Sequence, residues 1–121
     1  MGINMTLRER QSIFARMLIF LFQKIEESGY EFTLGECYRS PEEAERLAKA
    51  GLGIKSSLHT QRLAIDLNLF KDGKFLTKTE DYQFLGEYWE SLSGDTIECC
   101  WGGRFKKRDG NHFSVAYGGR K

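Results

Sequence analysis

The chain has 121 residues, 40% of them hydrophobic and 29% charged, which fits one folded domain with a core of its own. Its formal net charge is only +1, so no excess of positive charge indicates nucleic acid as a partner. The longest apolar run is far shorter than the ~18 residues of a membrane span, and the N-terminus lacks the pattern of a secretion signal.

Residues 6–28 have the pattern of a long helix. Thr6 and Glu9 have the spacing of a capping box, apolar residues then recur at helical spacing, and Gly29 ends the pattern. We interpret the apolar stripe as core packing rather than as a cofactor-binding face. Residues 30–38 are predicted to be extended.

A second helix is predicted directly after this extended segment. Ser40 suits the N-cap, Pro41 suits the first helical position, and Glu43 stands at the acidic position of a capping box. The helix is predicted to end near Ala50, and residues 51–58 are predicted to form a loop.

The rest of the chain alternates between short strands and one more helix. In residues 63–70 an apolar residue occupies every second position, which predicts a strand with Asp66 on the face opposite the apolar row. The other predicted elements are a hairpin turn at 72–73, a strand at 74–76, a helix over 79–92, and strands over 96–101 and 112–117 around a polar loop at 102–110. This order predicts an α+β fold, a single domain with a small, mainly antiparallel sheet flanked by three helices.

Three residues are candidate metal ligands. His59 and His112 are the only histidines, and each lies beside a predicted strand end. A carboxylate in the middle of an apolar strand, such as Asp66, is costly to bury unless it is paired or binds a metal. Two neutral imidazoles and one carboxylate match a zinc site with an open fourth position, and Asp109 would remain free for proton transfer. The alternative is that both histidines are ordinary surface or hydrogen-bonded side chains.

The order and spacing of these residues resemble a known enzyme family. Ser57-Leu58-His59 is followed after four residues by Ala64-Ile65-Asp66, and much later by Asp109-Gly110-Asn111-His112-Phe113. Together with Tyr38-Arg39-Ser40-Pro41 and Trp101-Gly102-Gly103, this order resembles the M15 metallopeptidases. These are the D-alanyl-D-alanine carboxypeptidase and dipeptidase group, and the resemblance is greatest to the L-alanyl-D-glutamate endopeptidases of phage endolysins.

The resemblance implies a Hedgehog/M15 peptidase-like fold and a zinc ion, Zn²⁺, held by His59, Asp66 and His112. It also implies that Asp109 is the general base and that Arg39 faces the active site. Arg39 would either share the oxyanion or dock a substrate carboxylate, and docking is favoured because zinc already serves the oxyanion. The implied substrate is the peptide stem of bacterial peptidoglycan, cleaved at L-alanyl-D-glutamate, with the D-Ala-D-Ala bond second.

Three residues around the motif need separate interpretation. Ser57 is predicted to orient a neighbour by hydrogen bonding within the substrate-binding site. Arg62 stands where the family often has glycine, which predicts that the loop after His59 does not need a conformation reserved for glycine there. Asn111 stands where the family often has proline, and it is predicted to loosen the approach to His112.

The cysteines and the basic run have simpler interpretations. The three cysteines include no C-x-x-C motif, so reduced thiols are expected, with one of Cys99 and Cys100 buried. The basic residues of 104–108 are interpreted as a solvated loop that can also form a rim of the site.

Two other classes of function compete with the peptidase. One is a catalytically silent module of the same fold that binds cell-wall peptides or a protein, which Asp109 disfavours because such a module needs no base. The other is nucleic-acid binding through 104–108, which the net charge disfavours. We therefore expect a monomeric peptidase domain over residues 1–121, with no separate wall-binding domain. It is expected to be made in the cytoplasm, of the host if a phage encodes it, and to act on the wall after release.

Overall fold

The computed structural model describes residues 5–121. Within this range the helices and strands are α1 (Leu7–Glu27), β1 (Glu31–Leu34), α2 (Pro41–Lys49), β2 (Ala64–Lys71), β3 (Lys74–Phe75), α3 (Gln83–Ser91), β4 (Cys99–Trp101) and β5 (His112–Val115). Short 3₁₀ helices lie at Leu58–Gln61, Thr79–Tyr82 and Gly102–Arg104. In the part of the chain that the structure describes, no helix has both the length and the hydrophobicity needed to cross a membrane.

The predicted N-caps of the first two helices are confirmed. The Thr6 hydroxyl accepts a hydrogen bond from the Glu9 amide at 3.1 Å, and the Glu9 carboxylate accepts one from the Thr6 amide at 3.0 Å. In α2 the Ser40 hydroxyl accepts from the Glu43 amide at 3.1 Å. The Glu43 carboxylate, however, pairs with Arg46 on the next turn instead of returning to the cap. Such pairs between neighbouring turns compete for the side chain that a capping box needs.

The sheet is built around β2, and every strand pairing within residues 5–121 is antiparallel. The first half of β2 pairs with β5, and its second half pairs with β1 and β3. β4 extends the sheet beyond β5. Asp72 and Gly73 join β2 to β3 with φ values of 52° and 78°, the conformation that a tight hairpin turn requires. The predicted α+β fold with a mainly antiparallel sheet is confirmed.

Helices α1 and α3 cover one face of the sheet. The Trp89 ring of α3 lies edge-on to Phe14 of α1 and to Phe113 of β5, with ring centroids 6.0 and 6.4 Å apart. Side chains alternate between the two faces along a strand, so the residues next to Phe113 in sequence point away from these helices. The face opposite the helices therefore carries His112 and, directly across from it on β2, Asp66.

Two local predictions were wrong. Cys99 and Cys100 are both buried, at 4% and 6% exposure, although their side chains point to opposite faces of β4. Residues that include Arg104 and Phe105 line a small cleft together with them, so β4 has neighbours on both faces. Burial raises the pKa of the Cys99 thiol to about 12 and that of Cys100 to about 11. The last two predicted strands are also shorter than expected, at Cys99–Trp101 and His112–Val115.

Arg62 contradicts its prediction as well. It adopts the left-handed conformation, with φ 56° and ψ 38°, where it ends the 3₁₀ helix that carries His59. The loop therefore does require the conformation that glycine adopts most easily. An arginine is held there because its guanidinium lies over the Tyr38 ring, 3.9 Å from the ring centroid.

Candidate active site

The fold brings together three residues that are far apart in sequence. His59 lies on the 3₁₀ helix Leu58–Gln61, directly before β2. Asp66 is in β2, and its register partner across the sheet is His112, the first residue of β5. Neighbouring residues in such a pair have Cβ atoms about 5 Å apart, close enough for both side chains to contact one ligand.

The donor atoms of these residues converge on one oxygen. Asp66 Oδ1 lies 3.3 Å from His59 Nε2 and 3.5 Å from His112 Nδ1. One donor atom from each of the three residues lies within 4.8 Å of the others, so the group could hold a metal ion. Asp66 Oδ1 is buried and has no hydrogen-bond partner in residues 5–121. A buried anionic oxygen without a hydrogen-bond partner is expected to bind a cation.

The second ring nitrogen of His59 fixes the orientation of the imidazole. Nδ1 lies 3.2 Å from the Cys37 carbonyl oxygen, which can only accept, so Nδ1 carries the hydrogen and Nε2 keeps its lone pair toward Asp66. The main chain of His59 is held as well. Its amide donates to Ser57 Oγ at 3.2 Å, and its carbonyl accepts from the Arg39 amide at 3.1 Å. His59 is therefore prepared to act as a ligand through Nε2.

The charges of the cluster depend on one another. Burial opposes ionisation of Asp66, but the His112 and His59 imidazoles outweigh it and lower the pKa of this carboxyl to about 2. Burial disfavours protonated His59, yet the Asp66 carboxylate raises the pKa of this imidazole overall. The carboxylate is thus anionic at neutral pH, and protons compete with a metal for the imidazole nitrogens.

Asp109 lies beside the cluster but is more accessible. Its Oδ2 is 3.8 Å from His112 Nδ1, and its side chain is 52% exposed. Burial raises the pKa of Asp109, with Asp66 adding to the increase and His112 opposing it. A carboxylate of raised pKa is a stronger base than an ordinary one, and at the edge of a cleft it can accept and return protons.

The loop that carries Asp109 is held tightly by Trp101 and Gly102. The Asp109 amide donates to the Gly102 carbonyl at 2.9 Å, and the Trp101 indole N–H donates to the Gly110 carbonyl at 2.7 Å. The Asn111 carbonyl accepts from the Leu67 amide of β2 at 2.9 Å. Proline would offer the same carbonyl, so this contact does not distinguish the two residues, and the looser approach to His112 stays a prediction.

Arg39 is close to the cluster but is already paired. Its Nε donates to Glu36 Oε1 at 2.9 Å, and Nη2 contacts the same oxygen. Glu36 was missed by the sequence analysis, although its position three residues before Arg39 could have indicated a pair. The Glu36 carboxylate also lies 3.9 Å from His59 Nδ1. The main-chain carbonyl of Glu36 accepts a hydrogen bond from the Asp66 amide.

The side chains of the cluster open into one cleft of about 380 Å³. Its lining includes Arg39, Ser57, His59, Asp66, Asp109 and His112. The structure therefore brings every site residue proposed from the sequence into a single cavity. The remaining lining is mainly apolar or basic. Its apolar side chains are Leu52, Ile54 and Phe105, and its basic ones are Lys107, Arg108 and Lys121.

Comparison with known proteins assigns the chain that forms this cleft to a family. The sequence profile of an M15 peptidase family, described as D-alanyl-D-alanine carboxypeptidase, matches residues 51–115, more than half of the chain. The chain belongs to the M15 peptidases. The matched stretch includes Ser57, His59, Asp66, Asp109 and His112, whereas Glu36 and Arg39 precede it. No curated protein matches the chain.

A solved structure supports the same fold. The M15 chain superposes on the L-Ala D-Glu endopeptidase ChiX of Serratia marcescens with a TM-score of 0.67. The two sequences are 20% identical, and the superposition covers 96% of this chain and 90% of that one. This likeness confirms the predicted peptidase-like fold.

Proposed function

We propose that this M15 peptidase is zinc-dependent and hydrolyses peptide bonds in the stems of bacterial peptidoglycan. The L-alanyl-D-glutamate bond is the first proposed substrate and the D-Ala-D-Ala bond the second. The observation that carries the proposal is the convergence of His59, Asp66 and His112 beside the accessible carboxylate of Asp109 in one cleft. The names of the matched family and of the structural neighbour support the substrate class.

The three converging donors suit zinc. His59 Nε2, His112 Nδ1 and Asp66 Oδ1 would hold the ion, leaving a fourth position that opens into the cleft. The buried, unpartnered Asp66 Oδ1 and the fixed tautomer of His59 are the features that fit. When bound, zinc supplies Lewis-acid chemistry that polarises the peptide carbonyl and makes water acidic enough to react near neutral pH.

The protein residues move the protons and position the peptide. Asp109 takes a proton from the attacking water at its carboxylate and returns it to the leaving amine. Its raised pKa and its position 3.8 Å from His112 suit both transfers. Ser57 contributes by fixing the His59 main chain at the wall of the cleft.

The pairing with Glu36 changes the balance between the two proposed roles of Arg39. Glu36 already occupies the Nε and Nη2 edge of the guanidinium, the edge that binds a carboxylate through two parallel hydrogen bonds, so docking of a substrate carboxylate is disfavoured. Nη1 makes no hydrogen bond in the described structure, and it can donate to a single oxygen. We therefore assign Arg39 to the carbonyl oxygen, where negative charge develops during attack.

The test is digestion of purified peptidoglycan, with the released muropeptides identified by mass spectrometry. We expect new amino termini at D-glutamate, loss of activity with a chelator, and recovery with zinc. Elemental analysis should give about one zinc per chain, and His59→Ala should abolish it. Binding to walls without any new terminus would instead support a catalytically silent module, and absence of zinc after supplementation would contradict the metal site.

A further inference from the structure

Cationic side chains surround the cleft, but most of them are neutralised. Arg39 is paired with Glu36, as described above. Two more basic residues of the lining form ion pairs outside the cleft: Arg108 Nη1 with Glu80 at 3.3 Å, and Lys121 Nζ with Glu98 at 3.4 Å. The attraction of these side chains for a further anion is reduced accordingly.

Lys107 differs from them. It is exposed and lines the same cleft, yet among residues 5–121 it takes part in no ion pair. It stands two residues before Asp109, so the two Cα atoms are at most about 7 Å apart. Lys107 therefore brings an ammonium group that has no anionic partner in the described structure to the lining of the cleft, on the same loop as Asp109.

The lining of the cleft offers an anion few free cations. With Arg39, Arg108 and Lys121 paired, the ammonium group of Lys107 is the cation of the lining that stays without an anionic partner among the described residues. A carboxylate on the substrate is therefore attracted to this part of the rim. Segment 52–54 of the lining offers apolar Leu52 and Ile54 instead, which suit small uncharged side chains.

We propose that Lys107 forms a subsite for a free carboxylate on the residue next to the scissile bond. The preferred substrates are then anionic peptides whose charge is adjacent to the bond that is cleaved. A glutamyl residue has this property, because one of its carboxyl groups continues the chain and the other stays free. This inference rests on the proposed peptidase function and specifies the charge of its substrate.

The test compares two peptides that contain the L-alanyl-D-glutamate bond. One keeps the free carboxylate of the glutamyl residue, and the other carries a carboxamide in its place. Wild-type enzyme loaded with zinc should have a KM about two- to fivefold lower for the carboxylate peptide, the range expected for one exposed ion pair. This preference should shrink as salt is added, because the contact is exposed.

Lys107→Ala should raise KM for the carboxylate peptide to that of the carboxamide, with kcat and the carboxamide kinetics unchanged. Lys106→Ala is the matched control, since Lys106 is also exposed and unpaired in the described structure but does not line the cleft. An equal preference in wild type and Lys107→Ala, with both proteins folded by thermal unfolding, refutes the subsite while the peptidase function stands. Failure of the wild type to cleave either peptide refutes the peptidase function, and the subsite with it.

Discussion

Gly102 is the position where one methyl group should disturb the whole candidate site. A Cβ added there would lie 2.1 Å from the Asp109 carbonyl oxygen and 2.8 Å from His112 Cβ. Ordinary contacts require the loop to retreat by about 1 Å. Displacements of that size cost about 100-fold in rate when they misplace catalytic groups. Overpacking in a tight region also costs about 1–3 kcal/mol of stability.

Gly102→Ala is therefore expected to lower kcat/KM about 100-fold and to lower Tm by about 4 °C or more. The matched control is Gly94→Ala, because a Cβ at Gly94 meets no atom within 4 Å and its φ is not positive. Both variants would be compared with wild type by steady-state hydrolysis of a stem peptide, thermal unfolding and zinc content. If Gly102→Ala matched Gly94→Ala in rate and Tm, the loop would not depend on close packing at Gly102, and the reasoning would be wrong.

Four further predictions follow from the described contacts. Asp109→Asn should still fold and bind zinc, but its kcat should be lower by a factor of about 10²–10⁴; near-normal turnover would exclude Asp109 as the base. Arg39→Lys should lower kcat with little change in KM, because the contact is made in the transition state; a raised KM with unchanged kcat would restore carboxylate docking. Arg62→Gly should be about 1 kcal/mol more stable than Arg62→Ala, because both lose the stacking on Tyr38 and only glycine relieves the left-handed strain; equal unfolding free energies would contradict this. Iodoacetamide should label one thiol per native chain, that of exposed Cys37, because Cys99 and Cys100 are inaccessible; the reaction should be slow at neutral pH, since partial burial raises the pKa of Cys37 too, and labelling of three thiols without unfolding would show that β4 opens.

The features that depend on local sequence were predictable. The capping box of Thr6 and Glu9 and the turn at Asp72-Gly73 depend on residues within four positions of each other, and both occur as expected. The ligand candidates His59, Asp66 and His112 were also found from the sequence. Strand alternation put Asp66 on the face opposite the core, and family spacing indicated its partners.

Features that depend on tertiary packing could not be predicted. Whether Cys100 is buried depends on what covers the outer face of β4, which alternation along the strand does not specify. The stacking of Arg62 on Tyr38 joins residues 24 positions apart, and it allows an arginine in a conformation that favours glycine. The pairing of Arg39 with Glu36 could have been suspected from spacing, but its effect on the role of Arg39 follows only from the shared position at the cleft.

The two walls of the cleft differ in stiffness. Trp101 lies against Gly86 of α3 so closely that a Cβ at Gly86 would come within 2.0 Å of its ring, and its indole holds Gly110 beside Asp109. The wall that carries Asp109 is therefore packed against α3 and continuous with the core. Segment 51–54 has 70% exposed Leu52 and glycines on either side of it. Adjustment to peptides of different shape falls to this wall, so changes there should alter which peptides fit without altering the chemistry.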